Sequence, residues 1–359
     1  MLKNIEIIGL MSGTSLDGLD IAHVAFDFSA KHPRFELLHS ETLPYSDEIL
    51  AKLSLAKTFS VPEMLMLDKE IGQFYALKVV DFIKKYKIDS KIIAAIASHG
   101  QTIFHQPENG FTQQIGCGST LAFLTGIPVI NDFRSLDVIA GGQGAPLVPI
   151  GDFLLFSEQA QAFLNIGGFV NISFMKDKKI TAFDICPGNL PLNKYAEKLG
   201  LAYDKDGEVA KNGKVLDSLL LKLNALKFYT SSAPKSLGTE WLESEFYALF
   251  PKEIETSECL STVVEHIAIQ IAAALNANKI DSVFITGGGA RNNYLLKRIQ
   301  AHYSGKIVIP DPKIIDFKEA LIFAFMGARY LRNETTTISN VTGAELSLST
   351  GVYHKAQVN

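Results

Sequence analysis

An apolar run, a glycine turn and a second apolar run occur together twice in this chain, and that pattern restricts the fold more than any other feature. The first copy, at residues 7–26, reads IIGLMSGTSLDGLDIAHVAF. Ile7 to Leu10 and Ile21 to Phe26 have the length and composition of two hairpin strands. Gly9, Gly13 and Gly18, with Ser12, Thr14 and Ser15, suit a turn whose backbone N–H groups face outward. Such a turn can cradle phosphate oxygens, because glycine tolerates positive φ and close approach. An ordinary Gly/Ser/Asp hairpin has the same local pattern. The turn is not a P-loop, which needs a lysine after its last glycine. Gly207 to Val215 comes near that motif, with one residue too many between its glycines and Val215 where Ser or Thr should stand. The second copy, AFLNIGGFVNISFM from Ala162, turns at Gly167-Gly168, and a third strand follows from Ile180 to Asp184. Two such units, about 155 residues apart, suggest a duplicated domain.

A chain of 359 residues, 47% apolar and 20% charged, has room for two domains with substantial cores. A net charge of −4 and a pI near 6.1 give no electrostatic reason to bind nucleic acid or an anionic membrane. Cys117, Cys186 and Cys259 are too few and too scattered for a disulfide framework, which favours a reducing compartment. The N-terminus lacks the pattern of a signal peptide, and no apolar segment approaches the ~20 residues that span a bilayer. The expected location is the cytoplasm.

Between the two copies, residues 27–60 read as one more strand and a connection. Ser60 and Glu63 form a capping-box pattern, and Met64, Leu67, Ile71, Phe74, Phe82 and Ile83 then mark one helical face as far as Tyr86. Ile92 to Ala97 reads as a strand that ends in Ser98, His99, Gly100, Gln101 and Thr102, where open α/β sheets place ligands. Val129-Ile130 reads as a strand ending in Asn131, Asp132, Phe133 and Arg134. The Gly141 to Pro146 loop either approaches a ligand or serves as a tight connector. Thr262 and Glu265 predict the start of a helix reaching Asn276. Asp281 to Thr286 predicts a strand, followed by Gly287-Gly288-Gly289 and a helix carrying Asn292 and Leu295. That triple glycine could form a flat platform for a base or ribose, or a turn with no ligand. A last helix is predicted from Asp316 to Leu331, with Glu319 in a capping box, before a tail containing Val341 to Ala344.

Asp184 is the first candidate for chemistry. At a strand end before Pro187-Gly188-Asn189, its carboxylate could act as general base or hold a metal-bound water. An Asx turn or a helix cap would use the same residue, and capping alone explains Glu319. His99 and His105 are not spaced as a metal pair on one helix face, and there is no HExxH or CxxC, so a structural zinc site is rejected. Cys186 reads as packing.

In order along the chain stand IGLMSGTSLDGLDIA from residue 8, SHGQT from 98 and NDFRSLDVIAGGQGAPLVP from 131. LNIGGFVNIS from 164, FDICPGN from 183, PKSLGTEW from 234, TGGGARN from 286 and VTGA from 341 follow. By these eight blocks the chain resembles the anhydro-N-acetylmuramic acid kinase family, within the acetate and sugar kinase, Hsp70 and actin superfamily. The resemblance implies an α/β protein of two ribonuclease-H-like (actin-like ATPase) domains with an interdomain active-site cleft. Residues 1–145 with 337–359 would form the N-terminal domain, closed by the C-terminal segment, and residues 146–336 the second.

ATP would be held by the first phosphate turn, Gly13, Thr14, Ser15, Leu16, Asp17, Gly18, Leu19 and Asp20, and by the second at Gly167 and Gly168. The adenosine would lie at Gly287, Gly288, Gly289 and Asn292. His99, Gln101, Thr102, Arg134 and Glu319 would hold the sugar, with Arg134 suited to the lactyl carboxylate. Mg²⁺ would be bound mainly through the ATP phosphates, with Asp17 or Asp20 as further candidates. The family opens the 1,6-anhydro bridge of 1,6-anhydro-N-acetylmuramic acid with water and phosphorylates O6, giving N-acetylmuramic acid 6-phosphate and ADP in cell-wall recycling. Because O6 carries no proton, the base acts on the water that attacks C1, and Asp184 matches the family's catalytic aspartate.

Two departures stand out. The common family pattern has Thr-Gly where this chain has Ile185-Cys186, and an aspartate where it has Asn193; they bear on contacts behind the base and on any metal contact at 193. The alternatives are a kinase of the same superfamily acting on an ordinary hydroxyl of another amino sugar, or a nucleotide-gated module without catalysis. Partners are small molecules, with neither nucleic acid nor membrane, and a homodimer is compatible with the resemblance.

Overall fold

A computed structural model describes residues 3–13, 16–232, 235–251 and 253–356. The chain divides into two units, Met1–Phe156 with Phe317–Asn359, and Ser157–Asp316.

In the first unit, β1 (Asn4–Ser12) and β2 (Leu19–Asp27) form the antiparallel hairpin expected over residues 7–26, and β3 (Arg34–Leu43) continues the meander. β4 (Ile93–Gln106) runs parallel to β1 on its other side, and β5 (Phe111–Ile115) folds back on the far half of β4. β6 (Val129–Asn131) pairs parallel with β4, giving the order β6-β4-β1-β2-β3. In the second unit, β7 (Ala162–Ile166), β8 (Phe169–Lys176) and β9 (Lys179–Pro187) repeat the meander. β10 (Ser282–Thr286) joins β7 in parallel, and β11 (Lys306–Val308) joins β10, giving the order β11-β10-β7-β8-β9. Both sheets are therefore an antiparallel meander whose first strand gains two parallel strands, the ribonuclease-H-like topology of actin-like ATPases. β12 (Val352–His354) is added antiparallel to β6 in the first sheet.

The apolar runs that flank the first turn are continuous because both faces of that sheet are covered. Ile8, Leu10, Ile21 and Ile96 share a core with Leu67, Ile71, Tyr75 and Val79 of the helix Val61–Tyr86. That helix has the Ser60/Glu63 capping box read from the sequence. On the other face, the helix Pro312–Leu331 lies so close to β1 that a Cβ on Gly9 would sit 2.0 Å from the Ala320 carbonyl oxygen. In the second unit, Val263, Ile267 and Ile271 of the helix Thr256–Ala277 pack with Leu164, Ile166 and Ile285 of the sheet. Contrary to the sequence expectation that no apolar segment approaches membrane-spanning length, this helix is long and apolar enough to cross a membrane, but 72% of its apolar window is buried, as in a core helix.

Several boundaries differ from the sequence expectations. The connection after β3 contains a helix, Asp47–Leu55, capped by Ser46. β4 does not stop before Ser98: Gly100, at φ +76°, lets the strand bend and continue. β9 likewise runs past Asp184 to Pro187. Thr262 and Glu265 do not open a helix, because the helix begins at Thr256. Thr262 instead accepts the Leu216 N–H at 3.0 Å, and Glu265 accepts both Nε and NH2 of Arg298. Glu319 is not a cap either, since its helix begins at Pro312 and Asp311 Oδ1 accepts the Lys313 N–H. A Ser/Thr-x-x-Glu spacing fits any helical turn, so it marks an N-terminus only when the preceding residues are non-helical.

Candidate functional site

In the first unit, the turn between β1 and β2 is held from below by buried polar groups. Ser12 Oγ donates to Gln101 Oε1 and lies 2.5 Å from the Tyr45 hydroxyl, which lies 3.1 Å from that of Tyr75. Gln101 is thus committed to bracing the base of the turn. Gly13 accepts the Leu16 N–H at 3.3 Å, and Leu16 has φ +59°. Thr14 and Ser15 lie outside the described residues. Gly18, at φ +147°, leaves no room for a side chain, because its Cβ would stand 2.5 Å from the Leu43 carbonyl oxygen. Leu19 is wholly buried and paired with Leu43. Asp17 is exposed, and Asp20 accepts the Thr42 hydroxyl at 2.5 Å.

The strand pairing of β4 with β1 and β6 brings His99 to Arg134, whose Nε donates to His99 Nε2 at 3.0 Å. Burial and then the guanidinium lower the His99 pKa to about 3. The imidazole is therefore neutral and offers Nε2 as acceptor. Arg134 NH1 donates to the Gly144 carbonyl at 2.6 Å. Desolvation lowers Arg134 to about 10, against the opposing fields of Glu319 and Asp137, which leaves it cationic at neutral pH. Glu319 reaches solvent with part of its side chain, yet its carboxyl is surrounded closely enough for desolvation to raise its pKa. Thr102 accepts from Gln114 Nε2 at 3.3 Å. The sequence reading missed Asp137. Wholly buried, it accepts the Gly144 N–H and the Thr342 hydroxyl, both at 2.8 Å, and so ties the glycine loop to the VTGA segment. An aspartate on an apolar helical stretch beside a glycine-rich loop was the available signal.

In the second unit, the two glycine segments meet at the C-terminal ends of the neighbouring parallel strands β7 and β10, the position where such sheets bind ligands. A Cβ on Gly289 would stand 2.1 Å from Ile166 Cγ2, and one on Gly287 2.7 Å from the Ile166 carbonyl oxygen. The turn is closed by the helix Asn189–Glu197, where the Asn189 and Gly188 N–H groups donate to the carbonyls of Gly167 and Gly168, both at 2.8 Å. Gly288 is exposed. Asn292 caps the helix Asn293–His302, its Oδ1 accepting the Leu295 N–H at 2.9 Å.

Asp184 stands on β9 opposite Asn171. The register slips there, with Val170 opposite Cys186, so Ile185 is an extra residue that bends the strand beside the carboxylate. Ile185 and Cys186 are buried, so the first departure from the family pattern sits in packing behind the base. Asn193 is half-buried on the helix that closes the second turn. Asp184 Oδ2 accepts the Leu237 N–H at 2.8 Å. Desolvation raises the Asp184 pKa, and this single N–H bond only partly opposes the rise. Among the described residues no cation pairs with it. It is a partly desolvated carboxylate with accepting capacity to spare.

A family model described as Anhydro-N-acetylmuramic acid kinase matches residues 5–356. A protein named anhydro-N-acetylmuramic acid kinase from Mannheimia succiniciproducens is 36% identical over 96% of this chain and 97% of its own. One of the same name from Shewanella baltica is 36% identical over 96% of both chains. Another from Pasteurella multocida is 35% identical over 97% of this chain and 96% of its own.

Proposed function

The chain belongs to the anhydro-N-acetylmuramic acid kinase family and is a sugar kinase, and from that premise we propose the reaction it runs. It uses ATP and water to convert 1,6-anhydro-N-acetylmuramic acid into N-acetylmuramic acid 6-phosphate and ADP, in cytoplasmic recycling of cell-wall fragments. The observation that carries this reading is the state of Asp184: a carboxylate without a cation partner, raised in pKa by desolvation, with one oxygen held by a single main-chain N–H. The structural aspartates Asp137 and Asp204, by contrast, have both oxygens occupied. A general base needs a basicity closer to neutral and a free accepting atom.

In the proposed mechanism, Asp184 takes the proton of the water that attacks C1. The C1–O6 bond breaks, and O6 leaves with the electron pair and attacks the γ-phosphorus, so no proton has to be removed from O6. Arg134 meets the lactyl carboxylate of the sugar. Its Nε and NH1 are already directed at His99 and Gly144, so the guanidinium is held in one orientation before substrate arrives. The main-chain N–H groups of the Gly13 and Gly167 turns take the phosphates, and Gly287 to Gly289 leave a surface without side chains for the nucleoside. Asp17, exposed beside the first turn, and Asp20, with its carboxylate on the Thr42 hydroxyl, are the oxygen donors that would meet a Mg²⁺ carried in on the phosphates. The ion would neutralise charge on the transferring group.

Incubation with ATP and the anhydro sugar in ¹⁸O-labelled water should place the label at C1 of the product. Asp184→Asn should lose turnover by about 10²- to 10⁴-fold while still binding ATP. Label found only in phosphate, or an active Asp184→Asn, would overturn the reading.

A further inference from the structure

A segment that belongs to neither sheet grips Asp184 at two points. The Asp184 N–H donates to the Lys235 carbonyl at 3.0 Å, and the Leu237 N–H donates to Asp184 Oδ2 at 2.8 Å. Both contacts use main chain, so what matters is where residues 235–237 run, not which side chains they carry. They lie outside any helix or strand and precede the short helical turn Thr239–Trp241. With no ladder to fix them, they need another anchor.

Lys235 has the contacts of such an anchor. Its Nζ donates to the Phe228 carbonyl at 3.0 Å. The same ammonium sits 4.5 Å from the ring centre of Phe228 and 5.9 Å from that of Phe183, the residue before Asp184. Phe228 packs against Trp241, with ring centres 5.5 Å apart. Beside it, the Tyr229 hydroxyl meets His266 Nε2 at 2.8 Å, and His266 is wholly buried in the helix Thr256–Ala277. Among the described residues Lys235 makes no ion pair. A half-buried lysine that contacts a carbonyl and two ring faces instead of a carboxylate is placed for geometry.

We infer that Lys235 is a positioning residue for the base: its bond to the Phe228 carbonyl fixes residues 235–237, so that the Leu237 N–H holds Oδ2 and Oδ1 is left to accept the proton. This rests on Asp184 being the base.

Lys235→Met, Lys235→Arg and Asp184→Asn would be compared by kcat and KM between about pH 4 and 8, with thermal unfolding as the check on folding. Lys235→Met should lower kcat roughly 10- to 100-fold, with little change in the KM for ATP, because a base displaced by a fraction of an ångström loses its alignment. The acid limb of kcat should move upward by about half to one pH unit, since Oδ2 loses a donor that favours its charged form. Lys235→Arg keeps a cationic donor and should recover most of both. Installing the α-hydroxy analogue of leucine at 237 replaces the amide N–H by an ester oxygen and leaves Lys235 in place; it should give the same limb shift.

Wild-type kcat and limb in Lys235→Met overturn the inference. So does a loss of kcat with an unmoved limb that arginine fails to restore. If Lys235→Met does not fold, the ester variant decides, and an unmoved limb overturns the inference. An active Asp184→Asn would mean that the base assignment itself has failed. An inactive Asp184→Asn with unmoved limbs elsewhere would mean that only the role of Lys235 has failed.

Discussion

Asp184 feels two opposed influences, desolvation that disfavours its charge and one N–H that favours it, and desolvation is the larger. The sign of the pH dependence follows. A general base works only when unprotonated, so activity is present above its pKa and lost as pH falls through it. Because that pKa lies above the ordinary 3.8 in the free protein, the acid limb of kcat/KM should lie above pH 3.8 in the wild-type enzyme. A kcat/KM–pH profile flat down to that value would contradict the role assigned to Asp184. His99 has no such part, since a pKa of about 3 keeps it neutral across the same range. Its contribution is to accept from Arg134 and hold the guanidinium in place.

At the scale of elements, the contact between β1 and the helix Pro312–Leu331 depends on Gly9. Ala at position 9 would place its methyl 2.0 Å from the Ala320 carbonyl oxygen and 2.9 Å from the Ala324 Cβ, so strand and helix must separate. Gly9→Ala should destabilise the protein by about 1–3 kcal/mol or more, read as a lower urea midpoint with an unchanged slope. Much of this architecture was legible in the chain. The hairpins at 7–26 and 162–175 show because long apolar runs on either side of a glycine turn have few other uses. The helix starts at 256 and 312 were hidden for a local reason: Thr262–Glu265 and Asp316–Glu319 have the spacing of a cap, yet lie inside helices, the first of which opens on the polar turn Thr256–Cys259 and the second on Pro312 after the capping Asp311. The site divides in the same way. Asp184 and the three glycine segments are marked by local composition, whereas the Leu237 N–H meets Asp184 across 53 residues. The Thr342 hydroxyl meets Asp137 across 205. No local pattern encodes a partner at such separations.

At the scale of the whole molecule, the chain passes between its units at 156–157 and at 316–317. Close to both passages in sequence, and within the first unit, Asp152 and Lys318 form a buried pair at 3.1 Å. Lys318→Met would leave a buried carboxylate alone, at a cost of about 3–5 kcal/mol near neutral pH. Desolvation already raises the Asp152 pKa in the folded protein. A group raised in this way favours the fold fully below its unfolded pKa, near 3.8, and that contribution is lost as pH rises through the folded value. The variant's deficit in melting temperature should therefore be larger at about pH 7.5 than at about pH 5; an equal deficit at both would mean that Asp152 is not the group responsible.

The first unit is built from both ends of the chain, and the second is one continuous stretch between them. During synthesis, residues 157–316 leave the ribosome complete, while the sheet begun by residues 4–27 still lacks the helix that covers Gly9 and the strand that pairs with β6. Domains generally fold as units, the N-terminal one first, but here the half that emerges first must be the last to close. Its apolar face waits, uncovered, for roughly the time the ribosome takes to make the other half.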